Sequence, residues 1–373
     1  MKSSIFNLLI LFFILIVVGI IYKKIEDKRL SEEHDENYDA IHKYLLNNET
    51  LVKSKKPILW IHVPYEYNSR KWLSFGSRSS VDLNQPYLYL TVKSIINQCS
   101  DSFTICIIDD EAFKKLIKNW CIDMNKISSP IKDNMRTLGL MNLLDMYGGL
   151  LCPVSFLCMK DLIGLYKEGI QNNKMFLCET KDKNITSSTY NFYPNLTFCG
   201  TEKNNPMMGH LIDFIQRTIS NDYTHESKFL GEFDRWCESR IRSGKINSID
   251  GSKIGVKNTD TMPITVEDLM SNHYLKLYTG TYGILIPADE LLTRRKYEWF
   301  TRMSAKQVLE SDTIIGNYLL LANAPDCQQG FLEPLEVRPN WVGFWKTPLY
   351  DGLYGLKPMF LGDNLRKQKY TGR

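Results

Sequence analysis

The chain has 373 residues, 43% of them hydrophobic and 24% charged, with a net charge of +4, the profile of an ordinary globular protein with length for one large domain or two. That charge, with no Arg/Lys stripe interleaved by aromatics, excludes a dedicated nucleic-acid partner. Nine cysteines, at 99, 106, 121, 152, 158, 178, 199, 237 and 327, include no Cys-x-x-Cys pair, so neither a zinc site nor a disulfide framework is signalled, and Cys106 and Cys178, inside apolar runs, read as small buried hydrophobes.

From Ile5 to Tyr22 the chain is almost continuously apolar and runs into Lys23-Lys24, a length at the short end of what spans a bilayer as a helix. No small-x-small cleavage site follows it, so it reads as an uncleaved signal-anchor, a single-pass transmembrane helix over residues 1–22. Lys23, Lys24, Lys28 and Arg29 outweigh Lys2 across the span, a bias that places the rest of the chain in the cytosol, and a lumenal arrangement requires that bias to be overridden. Residues 23–54 are charged and helix-prone, a stem. Sequons at Asn48, Asn184 and Asn195 do not settle the compartment in so Asn-rich a chain.

The globular part is expected over 55–330. Ile58 to Val63 is an apolar run between Pro57 and Pro64, as for a buried strand. Apolar residues at Tyr87, Leu90, Val92, Ile95 and Ile96 predict a helix over 84–99, with Pro86 in its first turn. Phe103–Ile108 predicts a second buried strand ending on Asp109-Asp110, and another helix starts there with Phe113, Leu116 and Ile117. Strand, helix and strand in succession imply a parallel pair with a right-handed crossover, the opening of a Rossmann-like, mostly parallel α/β sheet. Further strands are expected at Leu150–Cys158, Lys174–Cys178, Leu196–Cys199 and Gly283–Ile286, and helices near Pro206–Ser220, Glu226–Arg242 and Ala305–Ala322. Residues 331–373, with Trp341, Phe344, Trp345, Tyr350 and Tyr354, read as an irregular aromatic cap.

The most informative segment is Met135 to Phe156, where a long apolar helix ends in Tyr147-Gly148-Gly149 and passes straight into a strand-like run containing Pro153 and Ser155. It resembles the corner of glycosyltransferases of the glycosyltransferase-A fold, with capsular-polysaccharide-synthesis or mannosyltransferase-like sequences, which reads roughly Leu-Tyr-x-Tyr-Gly-Gly-x-Tyr/Trp-x-Asp-x-Asp/Thr. The resemblance covers residues 57–215. It implies a glycosyltransferase-A-like domain that moves a sugar from a nucleotide-sugar donor to a glycan, lipid or protein acceptor, as in polysaccharide biosynthesis. In that family the carboxylates after the corner hold Mn2+ or Mg2+, which neutralises the diphosphate leaving group. Here Pro153 and Ser155 stand at the two signature positions. The usual Asp-x-Asp ligands are absent, although Ser155 agrees with relatives that carry Thr. Two outcomes stay open: metal-independent transfer with Arg70, Arg78, Arg136 or Lys160 neutralising the diphosphate, or a degenerate domain that binds nucleotide or carbohydrate without turnover.

Ligands of open α/β sheets collect beyond the carboxyl ends of the strands. After the first strand, His62, Tyr65, Asn68, Arg70 and Arg78 form a set suited to stacking a base and gripping a diphosphate. Asp109 closes the second strand as a ligand for ribose or base, while Asp110 caps the following helix. The family has an Asp and an Arg facing the sugar nucleotide near the start of the Tyr-Gly-Gly helix. Counted back from Gly148 these fall on Thr137 and Leu140, so Arg136 lies one turn earlier on the same face, either substituting for the arginine or solvated. Gly148 and Gly149 supply positive φ and close approach, which suits a pyrophosphate and the turn alone equally. A base for an inverting reaction is sought among Asp234, Glu238, Asp260, His273, Asp289 and Glu290, none distinguished by spacing; a retaining reaction needs no strong base. His62 and His210 are more often satisfied histidines than ligands. No Gly-x-Ser-x-Gly or phosphate-loop motif is present.

Overall fold

The computed structural model describes residues 19, 21–22, 56–64, 85–183, 187 and 190–323. The chain divides into two units, residues 1–45 and 46–373. In the first, Gly19, Ile21 and Tyr22 are helical and exposed. Among the described residues no helix is long and apolar enough to cross a membrane; most of the expected anchor over 5–22, the stem and the cap beyond 330 lie outside them.

The second unit is a mixed α/β domain. Its strands and helices run β1 (Ile58–His62), α1 (Tyr87–Cys99), β2 (Thr104–Ile108), α2 (Ala112–Leu116), α3 (Ile131–Tyr147), β3 (Gly149–Leu151), β4 (Phe156–Cys158), α4 (Ile163–Gly169), β5 (Phe176–Lys181) and β6 (Phe192–Thr201). There follow α5 (Pro206–Asn221), α6 (Ser227–Leu230), α7 (Glu232–Arg242), β7 (Asn247–Ile249), α8 (Val266–Met270), β8 (Gly283–Leu285), α9 (Ala288–Thr293), α10 (Ala305–Leu309) and α11 (Ile314–Ala322). Six strands form the central sheet in the order β2-β1-β3-β6-β5-β7, and β4 pairs with β8 in a separate ribbon. β1 lies parallel to β2 and β3, β6 is antiparallel to both β3 and β5, and β5 is parallel to β7. Two antiparallel steps restore direction, so β1, β2, β3, β5 and β7 all end at one edge and β6 alone starts there.

Apolar side chains alternate onto the two faces of the strands. Ile58, Trp60, Cys106 and Ile108 face a core closed by α2, α3, α5 and α7, with Phe113, Met141, Leu211, Ile215 and Phe233 buried in it. A second core joins Tyr87 and Leu90 of α1 to Leu157 of β4, Ile284 of β8 and the C-terminal helices. Layers of helix on both faces explain why β1 and β2 read as unbroken apolar runs. Cys106 of β2 and Cys178 of β5 are buried free thiols.

Local chemistry sets the breaks that the apolar pattern does not show. The expected strand over 150–158 splits into β3 and β4, because Phe156 N–H donates to the Pro153 carbonyl (3.0 Å) and closes a turn. Gly231, at φ +66°, separates α6 from α7. The expected helix over 305–322 breaks at Thr313, whose side chain caps α11 by accepting from Gly316 N–H. Asn205 caps α5 in the same way, with Pro206 at its first position.

Candidate functional site

The chain passes from β1 out to β2 and then returns to β3 on the other side of β1. The carboxyl ends of β1 and β3 therefore flank a topological switch point, the position at which open α/β sheets leave a crevice for ligands. His62 is the last residue of β1. Across from it the chain continues from β3 through Cys152, whose N–H donates to the Trp60 carbonyl (2.9 Å), into the Pro153–Phe156 turn. Thr91 of α1 ties that turn down by donating to the Val154 carbonyl (2.6 Å). Ser155 is buried, and its carbonyl accepts from Ile286 N–H (3.1 Å), which brings the β8–α9 connection beside the turn.

One wall of the crevice is a charged cluster. Asp110 is buried and accepts from Arg136 Nε (2.9 Å) and NH2 (2.7 Å), while His62 Nε2 lies 3.0 Å from its Oδ1. Lys132 Nζ stands 3.9 Å from the same carboxylate, and Arg136 NH1 reaches Asp133 at 3.5 Å. The His62 ring stacks on Phe113 at 5.6 Å between centroids. Burial alone would push the Asp110 carboxyl up, but the hydrogen bonds and charges of His62 and Arg136 more than offset it and hold it well below the usual carboxylate range.

The capping role expected of Asp110 falls to its neighbour Asp109. Asp109, exposed, accepts from Ala112 N–H (2.9 Å) and holds the start of α2, the task expected of Asp110, whereas Asp110 turns inward to Arg136 and His62. Arg136 is neither solvated nor open to a ligand through its Nε/NH2 edge, because Asp110 occupies that edge. The glycines have the positive φ and close approach expected of the corner. Gly148 and Gly149, at φ +70° and +110°, start β3, at the opposite end of the strand from the crevice. A Cβ at Gly149 would sit 2.2 Å from the Ile58 carbonyl oxygen, and the Gly148 carbonyl accepts from Trp60 Nε1 (2.9 Å). Close approach of α3, β1 and β3 requires the pair, with no pyrophosphate needed to explain it. Tyr65, Asn68, Arg70 and Arg78 lie outside the described residues.

The other wall comes from the end of β5 and the start of α9. Lys183 Nζ lies 3.1 Å from Asp289 and 3.6 Å from Glu290, and Lys181 reaches Glu290 at 3.5 Å. The charges of Lys183 and Lys228 hold the Asp289 carboxyl below its ordinary value. Beneath this wall the half-buried Asp234 of α7 accepts from Asn195 Nδ2 (3.2 Å). Loss of hydration pushes it up to about 7, helped by the charge of Asp182 and opposed by the Leu196 and Asn195 hydrogen bonds. Asn195 also accepts from Thr197 N–H, so both ends of this sequon amide are engaged. Of the remaining base candidates, Glu238 pairs with Arg242, Asp260 pairs with Lys276 on the surface, and His273 is exposed. Lys160 donates to the Thr279 carbonyl. Lys132, Lys181 and Lys183 were not among the residues singled out from sequence; the signal for the last two is a Lys-Asp-Lys run at the end of an apolar strand.

The residues at the crevice do not fit the divalent ion of the resembled family. Pro153 brings no ligand side chain and its carbonyl serves the turn, the Ser155 carbonyl is bonded to Ile286, and Asp289 and Glu290 are paired with lysines. Among the described residues no three His, Cys, Asp or Glu side chains gather where they could hold a metal.

No family model matches the chain, and no curated protein does. A solved structure titled PaToxG Glycosyltransferase superposes with a TM-score of 0.29 at 13% identity, over 57% of this chain and 81% of that one.

Proposed function

We propose that the chain is a membrane-anchored sugar-nucleotide transferase that moves a sugar from a nucleotide donor to a glycan, lipid or protein acceptor without a metal held at Pro153 and Ser155. The observation that carries this reading is the switch-point crevice, with a cationic and acidic wall on each side and the Pro153–Phe156 turn between them. In it the nucleotide lies against His62 and the residues that follow β1, among them Tyr65, Asn68, Arg70 and Arg78. Charge developing on the leaving diphosphate is met by Lys181 and Lys183, with Arg70 and Arg78 as further cations. Asp110 and Arg136 brace the wall on the nucleotide side, so they position rather than touch the ligand. The anchor is residues 5–22.

A second reading has its own support. Pro153 removes the carboxylate position, and Asp110 takes the Nε/NH2 edge of Arg136, which fits a domain that binds donor without turning it over. Calorimetric titration of the full-length chain with a panel of nucleoside-diphosphate sugars, followed by assay of nucleoside-diphosphate release, separates the two. Binding with release supports transfer, binding without release supports the second reading, and absence of binding to every donor overturns both.

A further inference from the structure

A second cleft, of about 480 Å³, lies between α5 and α7, within the size range of small-ligand sites. It is remote from the crevice by topology. α5 begins just after β6 ends and α7 finishes just before β7 begins, so the His210 and Arg240 ends of this cleft lie toward the opposite edge of the sheet. Its floor is apolar, made of Met207, Phe214 and Trp236, which pack on the core from outside.

Three cations line it: Arg217, Arg240 and Lys245. None of the three has an ion-pair partner among the described residues, in contrast to Arg136, Arg242 and Arg294, which are all paired with carboxylates. Arg240 lies 4.1 Å above the Trp236 ring and donates to the Trp236 carbonyl, and that ring stacks on Phe214 at 5.7 Å. The guanidinium is thereby held at the ring, so binding an anion gives up less side-chain freedom. Among the described residues Asp213 is the one acid lining the cleft, and with His210 it offers hydrogen-bonding groups beside the cations.

We infer that this cleft binds a phosphate ester carried on a small hydroxylated body, with Arg217, Arg240 and Lys245 on the phosphate and Asp213 and His210 on hydroxyls. Three cations against one acid match a group bearing more than one negative charge, and guanidinium forks match phosphate oxygens in pairs. A lone carboxylate would leave most of that charge unanswered. The proposal is independent of the donor crevice and of any transfer reaction.

Glucose 6-phosphate, with glucose as the control, tests a soluble source of the ester; vesicles of phosphatidylcholine carrying phosphatidylinositol 4-phosphate, against phosphatidylcholine alone, test a lipid headgroup. Both are measured on the full-length chain and on Arg217→Gln/Lys245→Gln, two exposed positions whose change leaves the Trp236 stack intact. Arg240→Gln is the second variant, and thermal unfolding checks the fold of each. Saturable binding of the phosphate sugar that weakens about tenfold or more in the double variant establishes the soluble source. Vesicle binding that requires the lipid phosphate and is lost in the same variant establishes the headgroup. Binding of neither at millimolar levels, binding that survives unchanged in both folded variants, or binding of polyglutamate alone overturns the proposal.

Discussion

Arg136 donates to Asp110 through Nε and NH2, at 2.9 and 2.7 Å, with each side chain only 8% exposed. Removing one partner of a buried pair leaves a charge without an answer, which costs about 3–5 kcal/mol, whereas replacing both with apolar groups of similar volume is often close to neutral. Asp110→Asn is expected to lower stability by about 3 kcal/mol, and Asp110→Leu combined with Arg136→Met to lower it by less than the two single changes added together. Urea unfolding of the four proteins checks both statements.

The same pair fixes an acid limit. The folded-state pKa of Asp110 is depressed, so its contribution is fully present above the unfolded value near 3.9 and is lost as pH falls through the folded value. The stability difference between wild type and Asp110→Asn should therefore be flat from neutral down to about pH 4 and shrink below it. A difference that stays constant into strong acid would remove the charge from the account.

Asp234 has the opposite sign. Its carboxyl is raised to about 7, so the folded state holds a proton that the unfolded chain has already released, and stability falls as pH rises from about 4 to 7. Each unit of displacement corresponds to about 1.4 kcal/mol. Asp234→Asn should flatten that slope and leave the variant more stable than wild type at pH 8. Thermal unfolding at pH 5 and pH 8 decides it; parallel shifts of both proteins would contradict the assignment.

Gly149→Ala tests the corner between α3 and β3. The new methyl would meet backbone, the Ile58 carbonyl at 2.2 Å, at a φ of +110° that an alanine rarely adopts. Strain and overpacking together should cost more than about 3 kcal/mol, enough to unfold a marginal domain. Soluble expression with unchanged melting would show that β1 and β3 have room to separate.

How far the molecule can be read from its sequence depends on whether a feature is local. β1 follows from an apolar run bounded by Pro57 and Pro64, β2 from an apolar run closed by Asp109-Asp110, and α5 from Asn205-Pro206 ahead of a helical spacing. β7 has only Asn-Ser-Ile to announce it, and its place is set by pairing with β5. Asp109 and Asp110 could not be assigned without knowing which of two consecutive side chains points toward α3, because successive side chains at a strand end face opposite ways. The glycine pair was legible as a corner, but which edge of the sheet it occupies depends on strand direction. Lys181 and Lys183 reach the crevice only because β6 runs backwards and returns β5 to the direction of β1.

A chelator tests the consequence of Pro153. With no carboxylate side chain at that position and both neighbouring carbonyls engaged, donor binding should be the same with and without EDTA, measured by calorimetry. A requirement for manganese would mean that ligands come from elsewhere in the chain.

Lys183 offers the sharpest separation of binding from stability. Its pair with Asp289 is 39% and 59% exposed on the two sides, and such a surface pair contributes about 0–1 kcal/mol to folding. Lys183→Ala should therefore melt within a few degrees of wild type. If the amine meets the diphosphate, the same change removes a charge-assisted contact and weakens donor binding about tenfold or more. Lys183→Arg, which keeps the charge, should restore most of the affinity. Equal losses in Ala and Arg variants would point to shape rather than charge, and unchanged affinity in a folded Lys183→Ala would take this wall out of the donor site and leave the His62 side to hold the nucleotide alone.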